Sequence, residues 1–408
     1  MTFKQTIGLL LLILVGIATG CASFQTKFGA LAYDLLPEET ALDKAYQYDG
    51  KVIIVGAGAS GLAAASILEK NNIDYQIIEA TDRYGGRLKK VEGFADFPID
   101  IGAEWIHNRA AILNRLKGKE GDEIDEALFP YQLESSAVWD GEKLKEVPQS
   151  ELDAYFKGFP EYKFKNSTWY DYVDNNLAQL VKHKIRYNAP VTAVDYSASQ
   201  VKLTLQNGEV LSADKVLMTV SVGVLKSGAI SFLPELPQQK TDAIASVTFL
   251  PGFKMIMKFS ENFYPNVISC KEKGSTKDFY DAAFKKDSED NVLGLLSIGS
   301  SARYYYGLGD EKAILKDVLA ELDKMYDGKA SRTFTGQYLL EDWGRHEFTQ
   351  GTWASSLLGK SKIEALNSPL NGQVYFAGDA YDTYRQGGVP GTILSGYRAI
   401  DLLLSQVD

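Results

Sequence analysis

The sequence predicts an α/β and α+β fold in which a Rossmann-like nucleotide-binding domain carries a second domain with a mixed sheet. Two observations predict this fold. A continuous apolar run, VIIV at 52–55, leads into a G-x-G-x-x-G turn and a helical segment, as in the first strand–turn–helix unit of such domains. The chain also has 408 residues, more than one compact domain usually holds, so a second domain is expected.

The composition narrows the classes of function. Hydrophobic residues make up 45% of the chain and charged residues 24%, as in ordinary globular proteins. The net charge of −10 and the lack of a Lys/Arg run argue against a nucleic-acid-binding surface. No CxxC or HExxH spacing occurs, so no protein-built metal site is expected. The 23 Tyr and 19 Phe residues suit a core, and also a pocket for a flat or apolar ligand.

The N-terminal segment 1–21 is predicted to be a signal peptide, followed by a linker or short docking helix over 22–47. Its apolar stretch falls short of the ~20 residues that a membrane-spanning helix needs. The small residues before Cys21 resemble the processing site of bacterial lipoproteins, although Ala18 stands where those proteins usually have Leu. This resemblance implies a lipidated Cys21 and a membrane-anchored protein of the bacterial cell envelope, facing the periplasm or the exterior. A plain secretory signal and an uncleaved anchor are the alternatives.

The glycine turn carries the first functional prediction. Gly56 allows a tight turn, Gly58 lets the backbone approach a pyrophosphate, and Gly61 allows close helix packing. The following helix points its N-terminal amides at the phosphates. Glu79 ends a second predicted strand at the distance, about 20 residues, expected of the acidic residue that binds the ribose hydroxyls. Its charge argues against a 2′-phosphate, so the pattern predicts NAD or FAD. A glycine turn without a ligand is the alternative.

The segment that begins at Glu79 separates these two cofactors. EATDRYGGRL, residues 79–88, resembles the E-A-x-x-R-x-G-G-R segment of the flavin-containing amine oxidase superfamily. That superfamily includes monoamine and polyamine oxidases, amino-acid oxidases and more distant desaturase-like enzymes. The resemblance implies a GR2-type FAD-binding domain, in which Gly85 and Gly86 bring backbone close to the FAD pyrophosphate and Arg87 pairs with it. A plain NAD-binding unit has no need of this second turn.

Two further segments resemble the same superfamily. DIGAEWIH, residues 100–107, resembles the stretch that runs along the isoalloxazine ring in the polyamine-oxidase branch. Residues 189–226 have the pattern of a β-meander with a turn at Asn207-Gly208. In the family's corresponding segment, the position of Val191 closes over the adenine.

The C-terminal segments VYFAGDA and GGVPGTILSGYRAI resemble the end of the family's FAD site. There Asp379 would hold the ribityl chain in place of the usual Glu. A helix starting near Gly391 would point its N-terminus at the flavin N1/C2 carbonyl, where negative charge gathers on reduction. Together these resemblances imply the following cofactor-binding residues: Gly56, Gly58, Ala59, Gly61, Glu79, Ala80, Arg83, Gly86, Arg87, Leu88, Gly102, Ala103, Glu104, Trp105, Val191, Gly378, Asp379, Gly388, Val389 and Thr392.

The positions of these motifs imply a discontinuous domain, since they lie at both ends and in the middle of the chain. We expect the FAD-binding domain over 48–108, 185–235 and 365–408. The intervening 109–184 and 236–364 are expected to form a substrate-binding domain with a mixed sheet and covering helices.

The segment FLPGFKMIMKFSENFY alternates between two faces, which predicts a strand. One interpretation is a half-buried strand with solvated lysines. The other follows from the resemblance, because amine oxidases carry a lysine at the position of Lys254 that is bridged by water to flavin N5. A cation there would stabilise the superoxide formed when reduced flavin meets oxygen, which makes Lys254 a candidate catalytic residue. Lys258 is expected at the surface.

The segment DWGRHEFTQGTWASS resembles the part of monoamine oxidases that carries covalent flavin attachment and one wall of the aromatic cage. The attachment cysteine's position falls on Thr352, which cannot form the thioether, so the resemblance implies noncovalent FAD. The first cage position falls on Trp353, the second candidate catalytic residue, and the second falls on Gly388. Such a half-open cage argues against a small primary amine. An ordinary core aromatic is the alternative for Trp353.

These features predict an FAD-dependent amine oxidase that transfers hydride from the α-carbon of a neutral amine to flavin N5. Oxygen would reoxidise the flavin to give hydrogen peroxide, and the imine would hydrolyse to an aldehyde. Glu104, His107 and Tyr384 are further pocket candidates, although each could be a structural polar group. One alternative is a flavin desaturase or dehydrogenase that acts on an apolar substrate and passes electrons to a carrier. The other is a non-catalytic FAD-binding lipoprotein.

The lipoprotein prediction is tested at Cys21. Replacing the thiol that would carry the lipid, in Cys21→Ser, is expected to abolish incorporation of a labelled fatty acid and to release the protein from membranes. Cys270→Ser is the control and should keep both. Labelling that persists in Cys21→Ser would place the anchor elsewhere.

Overall fold

The computed structural model describes residues 40–119, 121–158, 161–272, 275–355, 358–382 and 387–405. The predicted signal peptide, Cys21 and Tyr384 lie outside these residues. Within the described part of the chain, no helix combines the length and the apolar character needed to cross a membrane.

A five-stranded parallel sheet forms the centre of the nucleotide-binding unit, as predicted. Its short strands are apolar because both faces are covered, one by helices and the other by a second sheet. The carboxyl ends of the strands meet at one edge, where an open α/β sheet binds its ligands. In sheet order the strands are Val374–Phe376, Lys215–Met218, Val52–Val55, Tyr75–Ile78 and Ile185–Arg186.

Two long helices, Ala59–Lys70 and Val389–Ser405, pack together on one face of this sheet. Their contact is close because Gly396 has no side chain: a Cβ there would lie 2.3 Å from the backbone oxygen of Ser60. The second helix begins at Val389, slightly before the position expected from the sequence. The helix pair holds both helix N-termini near the carboxyl edge of the sheet.

Part of the meander predicted over 189–226 is present and covers the opposite face of the parallel sheet. The rest differs, because Lys215–Met218 joins the parallel sheet and Val222–Ser227 forms a helix. The first three strands of the covering sheet are antiparallel, and Gly208, at φ +85°, forms the turn between the second and third. A fourth strand joins the first in parallel. In sheet order the strands are Val210–Ala213, Val201–Leu205, Val191–Asp195 and Ser231–Leu233.

A seven-stranded mixed sheet forms the second layer, which agrees with the predicted mixed sheet. One face packs on helices, and the other turns toward the nucleotide-binding unit. The predicted strand around Lys254 runs from Gly252 to Phe259 and is buried on both faces. In sheet order the strands are Phe334–Asp342, Gly252–Phe259, Asn291–Gly299, Ser275–Asp281, Val267–Cys270, Ser136–Trp139 and Leu144–Glu146.

The helix Glu311–Met325 shows how the outer face of the mixed sheet is covered. Asp310 caps its N-terminus by accepting a hydrogen bond from the backbone N–H of Ala313. Apolar residues four positions apart lie on one helix face and are buried against the sheet. They are Ile314, Val318 and Leu322.

The remaining elements are short. The other α-helices are Ile112–Arg115, Gln149–Gly158, Trp169–Val173, Gln179–Val181, Val222–Ser227, Gln238–Ser246, Ser300–Leu308, Lys329–Thr333 and Lys360–Asn367. Two 3₁₀ turns and one π-helix are Thr40–Leu42, Lys182–Lys184 and Asp174–Ala178. Two-stranded pairs are Lys90–Val91 with Ile99–Asp100, and Leu128–Pro130 with Tyr162–Phe164.

The predicted domain segments match the observed layers for the strands but not for all of the helices. The strands of the parallel sheet and of the meander lie in 48–108, 185–235 and 365–408, and those of the mixed sheet lie in the other two segments. The helices within 112–181 differ, because most of them pack into the core of the parallel sheet rather than on the mixed sheet. Segment 109–184 therefore contributes to both layers, and the domain division itself stays a prediction.

Candidate active site

A cavity of about 720 Å³ lies between the carboxyl edge of the parallel sheet and the inner face of the mixed sheet. Both candidate catalytic residues line it, and so do the predicted cofactor-binding residues with one exception. The exception is Gly61, where a Cβ would lie 2.1 Å from the backbone oxygen of Gly56. Gly61 thus serves the close helix packing that its position predicts. The structure brings the predicted residues together around one space.

The glycine turn fits a pyrophosphate. Gly56 has φ +111°, and a Cβ there would lie 2.5 Å from Thr219 Oγ1, so only glycine is compatible with this backbone. A Cβ on Gly58 would meet no protein atom within 4 Å, although the residue lines the cavity. The space beside Gly58 is therefore a cradle that backbone amides border and that any side chain would fill.

Glu79 lies at the end of its strand, and both of its carboxylate oxygens hold the backbone nearby. Oε2 accepts a hydrogen bond from Ala57 N at 2.8 Å, and Oε1 accepts from Thr81 N at 2.9 Å and Thr81 Oγ1 at 2.8 Å. The carboxylate is buried at the cavity wall, 8% exposed. Oε2 keeps one lone pair for a ribose hydroxyl, which is compatible with the role predicted for Glu79.

The second glycine turn is held by Arg83. Its guanidinium donates to the backbone oxygens of Gly86 at 2.5 Å and Leu88 at 3.0 Å. Gly85 N donates to Ala57 O at 2.9 Å, which ties this turn to the first. Arg83 therefore shapes the turn that lines the cavity.

Arg87 and Asp379 pair with each other, an arrangement that the sequence did not predict. Arg87 Nη1 and Nη2 donate to Asp379 Oδ2 at 2.8 Å and Oδ1 at 2.9 Å, and Nη1 also donates to Thr352 O at 2.6 Å. Burial alone would raise the pKa of Asp379, but the Arg87 guanidinium lowers that pKa below its usual value. A buried carboxylate needs such a partner. The structure therefore shows Arg87 and Asp379 as an ion pair rather than as isolated charges, and their roles toward FAD stay predictions.

Lys254 is buried, 2% exposed, so the interpretation as a solvated lysine is wrong. Its ammonium group donates to Asp100 O at 2.8 Å, Gly102 O at 2.9 Å and Glu104 Oε2 at 2.8 Å. An ammonium group has three N–H donors, so all three are used by protein acceptors. The positive charge borders the cavity, but in this conformation no N–H is left for the predicted water bridge to flavin N5.

Glu104 also pairs with a second lysine, Lys163, which the sequence did not single out. Glu104 Oε1 forms an ion pair with Lys163 Nζ, and the Lys163 side chain is 1% exposed. Burial would raise the pKa of Glu104, but Lys163 and Lys254 lower it to about 2. Glu104 is therefore a carboxylate held between two buried ammonium groups.

Aromatic rings separate Lys163 from the cavity. Its Nζ lies 5.1 Å from the ring centroid of Trp105, 5.0 Å from that of Tyr131 and 5.3 Å from that of Tyr280. All three rings line the cavity, and Lys163 does not. Tyr280 can lie across the sheet because a Cβ on Gly294 would be 2.3 Å from its ring.

A carboxyl group that the sequence did not reveal, Asp278, faces the cavity from the mixed sheet. Lys254, Leu296 and Asp278 stand directly opposite one another on three adjacent strands, so their side chains share one face. Two strand spacings separate Lys254 from Asp278, about 10 Å. Among the described residues Asp278 forms no ion pair, and burial raises its pKa to about 7. Sequence periodicity could not find it, because the pairing partner of a strand is not encoded locally.

The remaining candidates lie at the rim. Trp353 and Gly388 line the cavity, and the backbone of Gly387 packs closely on the indole, since a Cβ there would lie 3.0 Å from the ring. His107 Nδ1 lies 2.9 Å from Glu161 Oε1, and both residues line the cavity. Burial would lower the pKa of His107, but Glu161 raises it above the usual value.

The arrangement resembles known proteins in both sequence and structure. The model of the family described as flavin containing amine oxidoreductase matches residues 59–168 and 147–404. The chain is 28% identical to probable polyamine oxidase 4 of Arabidopsis thaliana, with 90% of each chain covered. It is 28% identical to polyamine oxidase 4 of Oryza sativa subsp. japonica, and the alignment covers 86% of this chain and 88% of the relative.

A solved structure has the same fold. A variant of putrescine oxidase with redesigned cofactor binding superposes with a TM-score of 0.70 at 17% sequence identity. The superposition covers 88% of this chain and 100% of the other.

The pyrophosphate cradle is tested at Gly58. Gly58→Ala is expected to raise the dissociation constant for FAD by at least about tenfold, because the new Cβ occupies the space of the phosphates. The matched control is Gly359→Ala, since both glycines precede a helix in extended backbone with open space around them. Each change should cost the apoprotein no more than about 1 kcal/mol. Flavin fluorescence titration and thermal unfolding measure the two effects, and equal FAD affinity in both variants would contradict the assignment.

Proposed function

Because the chain belongs to the flavin-containing amine oxidoreductase family, we propose that it oxidises aliphatic amines with two or more amino groups, using noncovalent FAD and oxygen. The coarser activity, flavin-dependent oxidation of an amine, follows from membership of the family. Bound FAD supplies the acceptor for a hydride from the α-carbon of the amine and passes the electrons on to oxygen. The chain's own residues bind the amine, orient it and set its protonation state.

The observation that carries the proposal is the row formed by Lys254, Leu296 and Asp278 on the inner face of the mixed sheet. The row begins beside the backbone of Gly102, in the segment expected along the isoalloxazine ring, and ends at a carboxyl group with no ion-pair partner among the described residues. An aliphatic chain lying along Leu296 would place one amine near the flavin and a second, protonated amine at Asp278. A monoamine leaves that carboxyl group without a partner.

The chain's residues divide the work. Asp278 accepts the remote ammonium group, and its pKa falls from about 7 as the cation approaches. Leu296 and the rings of Trp105, Tyr131 and Tyr280 pack against the methylene groups and exclude water. Trp353 and Gly388 line the cavity at the two expected cage positions, and a cage with one aromatic wall suits a secondary amine. The names of the relatives, polyamine oxidases and putrescine oxidase, support a substrate of this class.

Noncovalent attachment is supported by Thr352, which stands at the expected attachment position. Thr352 is buried and its Oγ1 donates to Leu250 O at 3.0 Å, so it has a structural role and offers no thiol. Acid precipitation should release all flavin into the supernatant; flavin that stays in the pellet would contradict this part of the proposal.

Attachment to a membrane through a lipidated Cys21 is part of the same proposal. Its support is the short apolar segment followed by small residues and a cysteine. The outer-membrane and inner-membrane destinations are both compatible with it.

The role of Asp278 predicts a difference between diamines and monoamines of equal chain length. Asp278→Asn should lower kcat/KM for the diamine about 10- to 100-fold, the range for loss of a charged hydrogen bond, and leave the monoamine unchanged. Asp281→Asn is the control, because Asp281 lies on the same strand but not on the cavity. Peroxide formation in air measures both substrates.

The ratio of kcat/KM for the diamine to kcat/KM for the monoamine has a predicted pH dependence. The raised pKa of Asp278 means that the free enzyme loses the carboxylate as the pH falls through about 7, so the preference of wild type for the diamine should weaken below that pH. In Asp278→Asn the ratio should not change with pH. A wild-type enzyme that oxidises both amines equally at every pH would overturn the proposed substrate class.

The oxygen reaction is tested at Lys254. Lys254→Met removes a buried positive charge at the place where reduced oxygen becomes negative, and such a charge is commonly worth ~3–4 kcal/mol, or on the order of 10²–10³ in rate. The loss should fall on the reaction with oxygen, while anaerobic reduction by the amine changes much less. Lys258→Met is the control, since Lys258 lies on the same strand but pairs with Asp290 away from the cavity. Stopped-flow traces separate the two half-reactions, and unchanged oxygen rates would favour a dehydrogenase that uses another acceptor.

A further inference from the structure

Two internal cations lie against the aromatic wall of the cavity. Lys254 Nζ lies 5.2 Å from the ring centroid of Trp105 and 5.6 Å from that of Tyr280. Lys163 Nζ lies 5.0–5.3 Å from the ring centroids of Trp105, Tyr131 and Tyr280. A cation near an aromatic ring draws the ring's negative potential toward itself. These rings therefore give an amine in the cavity apolar contact but little attraction for a positive charge.

The buried charges behind this wall do not cancel. Lys163 and Lys254 are both ammonium groups in contact with Glu104, and Glu104 is the one carboxylate between them. The trio carries a net charge of +1 at the end of the cavity next to the predicted isoalloxazine segment. At the other end of the sheet face, Asp278 offers a negative charge. The cavity thus has a positive and a negative end.

We propose that Lys163 is a positioning and specificity residue that keeps the reacting amine unprotonated and directs the protonated amine of the substrate to Asp278. Only a neutral amine has the lone pair that assists loss of hydride from its α-carbon. A net positive charge beside that amine disfavours the ammonium form and favours release of its proton before the chemical step. The inference rests on the proposed oxidation of amines with two or more amino groups.

Other titratable groups surround the trio, and Lys163 itself lowers the pKa of three of them, Asp100, Asp281 and Lys286. The surrounding groups come from each element packed against the trio: Asp100, Tyr131, Glu161, Tyr280, Asp281 and Lys286. Their side chains are unchanged in every variant below, and the binding measurement with a permanently charged ligand separates the charges at 163 and 104 from their titration.

The decisive experiment compares variants that differ in the net charge of the trio Lys163, Lys254 and Glu104. Lys163→Met makes it neutral, and the double variant Lys163→Met with Glu104→Gln restores +1 without Lys163. One unit charge at about 12 Å in an effective dielectric of about 20 shifts a pKa by about one unit. The rate of anaerobic flavin reduction at saturating diamine is measured against pH, because its acidic limb reports the bound amine.

Removal of the positive charge raises the pKa of the bound amine. The acidic limb of the pH profile for flavin reduction by Lys163→Met should therefore move about one pH unit upward. The double variant and Lys163→Arg should return it to the wild-type position. Lys277→Met is the control, because this lysine is also buried and ion-paired, with Glu321, but lies on the opposite face of the sheet. The acidic limb of its pH profile should not move. A purely structural role would not be rescued by removing the partner carboxylate as well.

An equilibrium measurement does not depend on turnover. A bis(trimethylammonio)alkane carries two permanent charges and has no α-hydride reactivity, so calorimetry reports only how well the cavity accepts a cation at each end. Lys163→Met holoenzyme should bind it about tenfold more tightly than wild type, and the double variant as wild type does. Coincident pH limbs and equal affinities in wild type and Lys163→Met would overturn the inference. If wild type reduces no flavin with any diamine, the proposed function fails instead, and the calorimetric arm still decides the role of Lys163.

Discussion

The carboxylate of Glu104 is the interaction on which the site depends. It lies between the ammonium groups of Lys163 and Lys254. Lys254 comes from a strand of the mixed sheet, and Lys163 comes from the two-stranded pair of Leu128–Pro130 with Tyr162–Phe164. Glu104 itself belongs to the segment that follows the nucleotide-binding turns. The three charges therefore join the predicted isoalloxazine segment to the wall of the substrate cavity. Loss of the carboxylate would leave two like charges buried side by side, which is far more costly than an exposed ion pair.

A second ion pair joins the two ends of the chain in the same way. Arg87 and Asp379 are far apart in sequence but form a bidentate pair at the cavity, with Thr352 O as a further acceptor. The two glycine turns, the C-terminal helix and the substrate layer thus converge on one space. Because Arg87 and Asp379 are joined by two hydrogen bonds, their ion pair restrains the geometry of the site more than apolar packing alone would.

The predictable parts of this site are those that the chain encodes locally. Gly56, Gly58 and Glu79 follow from the geometry of one strand–turn–helix unit, so spacing alone revealed them. Lys254 and Trp353 were found by resemblance. The position of Gly61 outside the cavity also agrees with its predicted packing role.

The missed residues act through contacts between distant segments. Asp278 faces the cavity only because its strand pairs with Asn291–Gly299, which in turn pairs with the strand of Lys254. Lys163 lies in a strand of three residues with no distinctive pattern. The water bridge from Lys254 stays a prediction, and the sequence did not reveal that two backbone oxygens and Glu104 converge on its ammonium group.

The account's central claim is that the cavity binds an amine chain stretched between a positive end and a negative end. The most direct measurement is the rate of anaerobic flavin reduction for unbranched diamines of increasing length, each compared with the monoamine of equal length. The account predicts an optimum at the length that spans the row from Lys254 to Asp278, about 10 Å, and no optimum for the monoamines. Rates that rise together with chain length in both series would contradict it, because apolar contact alone would then explain binding.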